Sequence, residues 1–210
     1  IHLAETGTIG RTVINMSFGS PDPSALQERA INDAIAAGIV VVSGAGNSGE
    51  RGMAWPGAFP QVISPGATGW TRQFRPGTVD DLNLDFWWHQ DVGFDPDPHR
   101  GPSEESETFV AAISGRAFPQ AGQELDLLAP GWGIMAPLPR ADLQATGDFF
   151  LLIGTSFATP RVAGVAALML EKNPTLDQAQ IEAILKSSAQ PMSRVDTRTG
   201  VLDVFAVRRG

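Results

Sequence analysis

Gly154-Thr155-Ser156-Phe157-Ala158-Thr159-Pro160 lies between an apolar run at 149–153 and a long stretch of small and apolar residues that ends near Lys172. Val162, Ala163, Val165, Ala166, Ala167, Met169 and Leu170 surround a helical axis almost completely, which predicts a helix buried within a domain. Proline is tolerated in a first helical turn, where its missing N–H costs little, so Pro160 places the helix start close to Ser156. A serine there stands where helix amides point outward and the helix dipole favours negative charge. That suits a nucleophile whose attack creates an oxyanion. The same serine also reads as an ordinary N-cap, and the heptapeptide by itself does not separate the two readings.

Upstream, residues 12–18 include Val13, Ile14 and Met16 and run into Gly19-Ser20-Pro21; without polar alternation they predict a central strand buried on both faces. Ser24 and Gln27 have capping-box spacing, and Leu26, Ala30, Ile31, Ala34 and Ile35 share one face before Gly38, predicting a helix over 24–37. Residues 39–42 form the next buried strand, which breaks at Gly44-Ala45-Gly46-Asn47. Strand, helix, strand with short links predicts a right-handed parallel crossover, hence an α/β fold with a parallel sheet flanked by helices. Further strands are expected at 61–68, 124–128, 133–135 and 149–153. Thr175 and Gln178 open a last amphipathic helix through Ile181, Ile184 and Leu185, and the tail at 201–207 packs back on the body.

The 210 residues, 42% hydrophobic and 18% charged, suffice for a sizeable core and exclude a disordered chain. A net charge of −8 argues against a nucleic-acid or anionic-membrane binder. Nine acids and one base fall within 80–107, leaving fourteen of each elsewhere, so the acidity belongs to an aromatic, Pro- and Gly-rich insertion at about 70–108. The absence of cysteine removes disulfides, thiolate metal sites and a cysteine nucleophile. No apolar run approaches the roughly 20 residues of a membrane-spanning helix.

Gly154 to Pro160, followed by Val162-Ala163-Gly164, closely resembles the nucleophile motif of subtilisin-like serine proteases. Val13-Ile14-Asn15-Met16-Ser17-Phe18-Gly19 resembles that family's substrate-binding strand, and Gly38-Ile39-Val40-Val41-Val42-Ser43-Gly44-Ala45-Gly46-Asn47 its oxyanion strand. Ala54-Trp55-Pro56-Gly57 and Glu124-Leu125-Asp126-Leu127-Leu128-Ala129-Pro130-Gly131 extend the likeness. The resemblance implies a serine endopeptidase acting on a peptide or protein substrate, with no cofactor needed for chemistry. Ser156 would be the nucleophile, and Asn47 the side-chain oxyanion donor beside the Ser156 amide. Ser17, Phe18 and Gly19 would bind an extended peptide through their backbone, while Gly44, Ala45 and Gly46 would wall the pocket for the residue before the cut, with Ala54 at its floor. Outside the resemblance, Asn47 also reads as a loop residue and Phe18 as a packing residue.

Such a serine needs a histidine base and an orienting carboxylate, which the family carries upstream in Asp-Ser/Thr-Gly and His-Gly-Thr contexts. Neither motif occurs, and His2, His89 and His99 stand in other surroundings. The resemblance therefore implies the C-terminal part of a catalytic domain, incomplete on its N-terminal side, inactive alone and completed by an N-terminal segment carrying Asp and His. Arg161 stands where the family more often has histidine. The rival expectation is a catalytically silent subtilisin-like module acting through the acidic insertion. Within that insertion Asp91, Asp95, Asp97 and His99 do not match a calcium-loop pattern, so no metal site is assigned and a structural calcium has no motif behind it. Secretion is implied only by the resemblance.

Overall fold

The computed structural model describes residue 7 and residues 10–70, 108–111, 113–118, 121–137, 149–195 and 202–207. Strand β1 (Val13–Met16), helix α1 (Ala25–Ala36) and strand β2 (Val40–Ser43) form the expected unit, with the two strands parallel and Val13 opposite Val40. The Ser24 hydroxyl caps α1 by accepting the Gln27 N–H at 3.3 Å. At the other end Gly38 adopts φ 79°, and the Gly38 and Ile39 amides donate to the Ile35 and Ala34 carbonyls. A residue with a Cβ would be strained there, so the glycine turns the chain directly into β2.

Every residue of β2 is buried, and its side chains alternate between two cores. Val40 and Val42 pack with Ile63, Leu127 and a later helix, while Ile39 and Val41 pack with Ile31 and Ala34 of α1 and with Phe59 and Val62. Each buried valine contributes about 1.5–3 kcal/mol relative to exposure. Strand β1 departs from the expectation of burial on both faces: Asn15 is exposed and its neighbours are only half-buried. The reason is topological, since among the described residues β1 pairs with β2 alone.

The remaining elements are β3 (Pro65–Trp70), β4 (Thr108–Val110), β5 (Leu127–Pro130), β6 (Ile134–Pro137), β7 (Phe149–Leu152), α2 (Thr155–Lys172), α3 (Gln178–Ser188), β8 (Gln190–Val195) and β9 (Leu202–Val207). A five-stranded mixed sheet runs β4-β3-β5-β9-β8, and β6 pairs antiparallel with β7. An isolated parallel bridge between Val42 and Ile63 joins β2 to the chain entering β3. The strand expected at 61–68 thus starts later, after a turn at 61–62. The tail does return to the body, β9 lying parallel to β5 and antiparallel to β8. The interior of the expected insertion, 71–107, lies outside the described residues, but its ends meet: Trp70 stands opposite Thr108 in the antiparallel pair β3–β4. An insertion entered and left on neighbouring strands perturbs the sheet little, because loop closure cost grows only slowly with length.

Helix α2 packs on β1, β2, β3 and β5. Its buried stripe is Thr155, Ala158, Thr159, Val162, Ala163, Ala166 and Leu170. It is not enclosed all round, as its composition suggested: Gly164, Ala167 and Leu168 are exposed, Leu168 at 64%. Helix α3 is capped by Asp177 in a reciprocal box with Gln180, rather than by Thr175, whose hydroxyl instead bonds Asn173. Buried Gln178 exchanges hydrogen bonds with the backbone of Val41 and donates to the Gln61 carbonyl, fixing α3 against β2.

Lys186 of α3 donates to Asp126 at 3.0 Å, to Glu182 at 3.3 Å and also to Glu124. These three acids are grouped closely enough to hold a metal ion, with ligand oxygens within 4.8 Å of one another, and the lysine ammonium reaches all three. Buried Asp126 also accepts the Ser64 N–H at 2.7 Å, tying α3 to the turn before β3. Burial raises the Asp126 and Glu182 carboxyls, and hydrogen bonds to Glu124 and Asp126 raise Lys186 against its own desolvation. Lys186→Met is expected to cost about 1–3 kcal/mol near neutral pH by stranding the buried Asp126. A raised lysine contributes fully below its ordinary 10.5 and loses that contribution as pH climbs above it. The raised carboxyls take up protons in the folded state above their ordinary 3.8 and 4.5, removing the charge that Lys186 compensates. The deficit in urea-unfolding free energy should therefore narrow at both pH extremes, and a constant deficit would contradict the account.

Candidate active site

The C-terminal ends of β1 and β2 and the N-terminus of α2 converge on one cavity of about 540 Å³. Open α/β sheets place ligands at strand ends of this kind. Ser17, Phe18 and Gly19 line it from the β1 side, Gly44, Gly46 and Asn47 from the β2 side, and Thr155 and Ser156 from the helix. Ala54 closes it below, packed so tightly that a Cβ on Gly19 or Gly46 would come within 2.7 or 2.6 Å of its own. A mutual backbone pair between Ser20 and Trp55 holds that floor to the β1 side. Ala45 does not face the cavity: it is fully buried with Met53 and Ala58, and its carbonyl accepts the Ala54 N–H at 2.9 Å.

Strand β2 can end so close to α2 only because Gly44 has no side chain, since a Cβ there would lie 2.7 Å from the Thr159 hydroxyl and 3.0 Å from that of Thr155. Thr155 is the residue that sequence reasoning missed. Its hydroxyl accepts the Gly46 N–H at 3.1 Å and donates to Asn47 Oδ1 at 3.2 Å, while its own amide donates to the same Oδ1 at 2.9 Å. With two donors aimed at Oδ1, the orientation of the Asn47 amide is fixed by its partners, leaving both Nδ2 hydrogens free to donate elsewhere. Gly154 at φ 150° carries the chain past this group, and a Cβ there would sit 3.2 Å from Asn47 Nδ2. A threonine immediately before Ser156, at the first position of the helix, was the available signal.

Helix α2 begins at Thr155, so Pro160 lies in the second turn and not, as its chemistry suggested, in the first. The consequence falls on Ser156, the residue four positions back, whose carbonyl has no helical N–H to accept. Ser17 supplies the missing donor, its hydroxyl reaching the Ser156 carbonyl at 3.0 Å, and the Ser156 hydroxyl donates in return to the Ser17 carbonyl at 3.1 Å. The nucleophile candidate is thereby locked to the strand that would receive substrate. Arg161 bonds the Pro130 and Phe157 carbonyls at 2.8 and 3.1 Å, pinning the same turn to β5. The main-chain groups of Phe18 and Gly19 make no hydrogen bond among the described residues, and the Phe18 side chain is 63% exposed.

Among the described residues the cavity contains no histidine, and all three histidines of the chain lie outside them. Ser17→Ala should destabilise by about 1 kcal/mol, the cost of a lost partner at the Ser156 carbonyl. In a Pro160→Ala background, where residue 160 regains an N–H, the same substitution should cost measurably less. A double-mutant cycle by urea unfolding reads this coupling, and strict additivity would sink it.

Residues 2–203 match the model of the Subtilase family. Subtilisin BL of Lederbergia lenta is 32% identical over 204 residues, covering 97% of this chain and 58% of the relative. M-protease of Shouchella clausii (strain KSM-K16) is likewise 32% identical, with 41% of its length covered. The chain thus spans about half the length of the curated relatives it matches. Among solved structures, Sphericase superposes with a TM-score of 0.61 at 26% identity, covering 90% of this chain and 53% of that one. With the family match spanning nearly the whole sequence, and with the nucleophile and oxyanion motifs meeting at one cavity, this chain belongs to the subtilase family.

Proposed function

We propose that the chain is the nucleophile- and oxyanion-bearing part of a serine endopeptidase. Ser156 Oγ attacks the carbonyl carbon of a peptide laid along residues 17–19, and its proton passes to a histidine supplied by an upstream segment. The oxyanion forms between the Asn47 amide and the Ser156 N–H. The C–N bond then breaks as the same histidine protonates the leaving amine, and water releases the acyl group by the reverse sequence. The observation that carries this reading is the orientation of Asn47: Thr155 holds its oxygen, so its N–H donors are preorganised beside Ser156 at a helix N-terminus.

The upstream segment carrying Asp and His has two surfaces in its favour. Strand β1 has an edge that no described strand pairs, and α2 exposes Gly164, Ala167 and Leu168 on a helix whose composition fits burial on every side. An added strand and helix would cover both. A catalytically silent module acting through the acidic insertion is the competing reading, and the joint presence of Ser156 and Asn47 weighs against it.

An active-site serine reagent is expected to label Ser156 in the complete protein and hardly at all in residues 1–210 alone. Equal labelling of the two would contradict the need for an upstream base. In the complete protein Asn47→Ala should lower kcat by roughly 10²–10³, the loss known for such a donor in subtilisin itself, with KM little changed. An unchanged kcat would remove Asn47 from the oxyanion hole.

A further inference from the structure

We infer that Arg51 makes this cavity selective for peptides that present an acidic side chain, aspartate or glutamate, to it. The inference rests on the reading of the cavity as a substrate site. Arg51 is the one ionisable side chain among the described residues that line the cavity. Among the described lining residues the cavity wall holds this cation and no carboxylate.

Two further observations anchor the main chain that carries Arg51 and leave its charge available. Arg51 ends a single 3-10 turn, Gly49–Arg51, that is anchored by main-chain hydrogen bonds. The Gly49 N–H donates to the Ile113 carbonyl at 2.9 Å, the Arg116 N–H donates to the Gly49 carbonyl at 3.0 Å, and the Arg51 N–H closes the turn on Ser48 at 3.1 Å. The guanidinium itself makes no hydrogen bond or ion pair with any described residue. An unpaired guanidinium offers a planar donor fork that matches a carboxylate. Of the described lining near it, Gly52, Met53 and Ala54 are small or apolar, and Ser48 offers only a neutral hydroxyl. A lysine or arginine side chain entering the cavity would meet like charge, with no carboxylate among the described lining residues to offset it.

The test separates recognition from catalysis. Complete protein carrying Ser156→Ala, which binds without cleaving, is titrated calorimetrically with two peptides that differ only in Glu against Gln at the residue entering the cavity. Active protein is assayed on the same pair for kcat/KM. Because Arg51 is exposed, the expected preference for Glu is modest, about two- to fivefold in either readout, the range that a solvated ion pair sustains. Arg51→Gln should bring the ratio to one, and Arg51→Glu should shift preference to a Lys peptide over the Gln peptide. A ratio of one or less in the parent protein, or a ratio unmoved by Arg51→Gln, overturns the inference, as does failure of every peptide to bind. Selective binding of the Glu peptide without hydrolysis by the active protein would support the inference and sink the protease reading instead.

Discussion

The bond that the site depends on is the one that Pro160 forbids. A proline in the second turn of α2 removes the donor that the Ser156 carbonyl would otherwise accept, and a polar group left half-buried without a partner costs stability. The Ser17 hydroxyl fills that role, and the Ser156 hydroxyl answers it. One missing N–H thus ties the start of a helix to the end of a strand 139 residues away in sequence. The helix must then approach β2 closely, which requires Gly44, and its first amide must find an acceptor, which is Asn47. The cavity follows from those contacts, since its walls are the segments they bring together.

Three backbone ends with unmet hydrogen-bonding capacity meet at the cavity. Strand β1 stops and leaves main-chain groups at Phe18 and Gly19, β2 stops at a glycine turn that releases Asn47, and α2 starts with the amides that every helix leaves unsatisfied. Placed together, they leave an open main-chain edge and a donor-rich corner on the cavity. The opposite end of the layer is held by a different device, with Gln178 and Lys186 reaching from α3 to β2 and to the turn before β3. Polar groups buried there are paired inside the protein, whereas at the cavity the Asn47 amide hydrogens and the main-chain groups of Phe18 and Gly19 are left open.

Much of this was legible in the sequence. The apolar run of β2, the capped amphipathic pattern of α1 and the Gly38 stop gave the parallel unit, because buried strands and capped helices write their burial directly into residue type. Ser156 and Asn47 were legible through motifs that keep their spacing. The misreadings share a cause. The burial of β1 and of α2 was inferred from apolar composition, which states what a segment tolerates rather than what covers it. Thr175 had the spacing of a cap but lost to Asp177, whose carboxylate and Gln180 partner satisfy both donors of the first turn. Thr155 was overlooked because its role exists only across 108 residues of sequence, in its bond to Asn47.

The sequence by itself determined the α/β class, the order of the first strand, helix and strand, and the identity of the nucleophile and oxyanion candidates, since each depends on local pattern or on contiguous motif. Only the tertiary structure decided that Pro160 frees a carbonyl for Ser17, that Thr155 orients Asn47, that Ala45 faces the core instead of the cavity, and that Arg51 is the one charged side chain among the described residues of the cavity wall. Hydrogen bonds and cavity linings between distant segments depend on how helices and strands are stacked, and no run of neighbouring residues encodes that stacking.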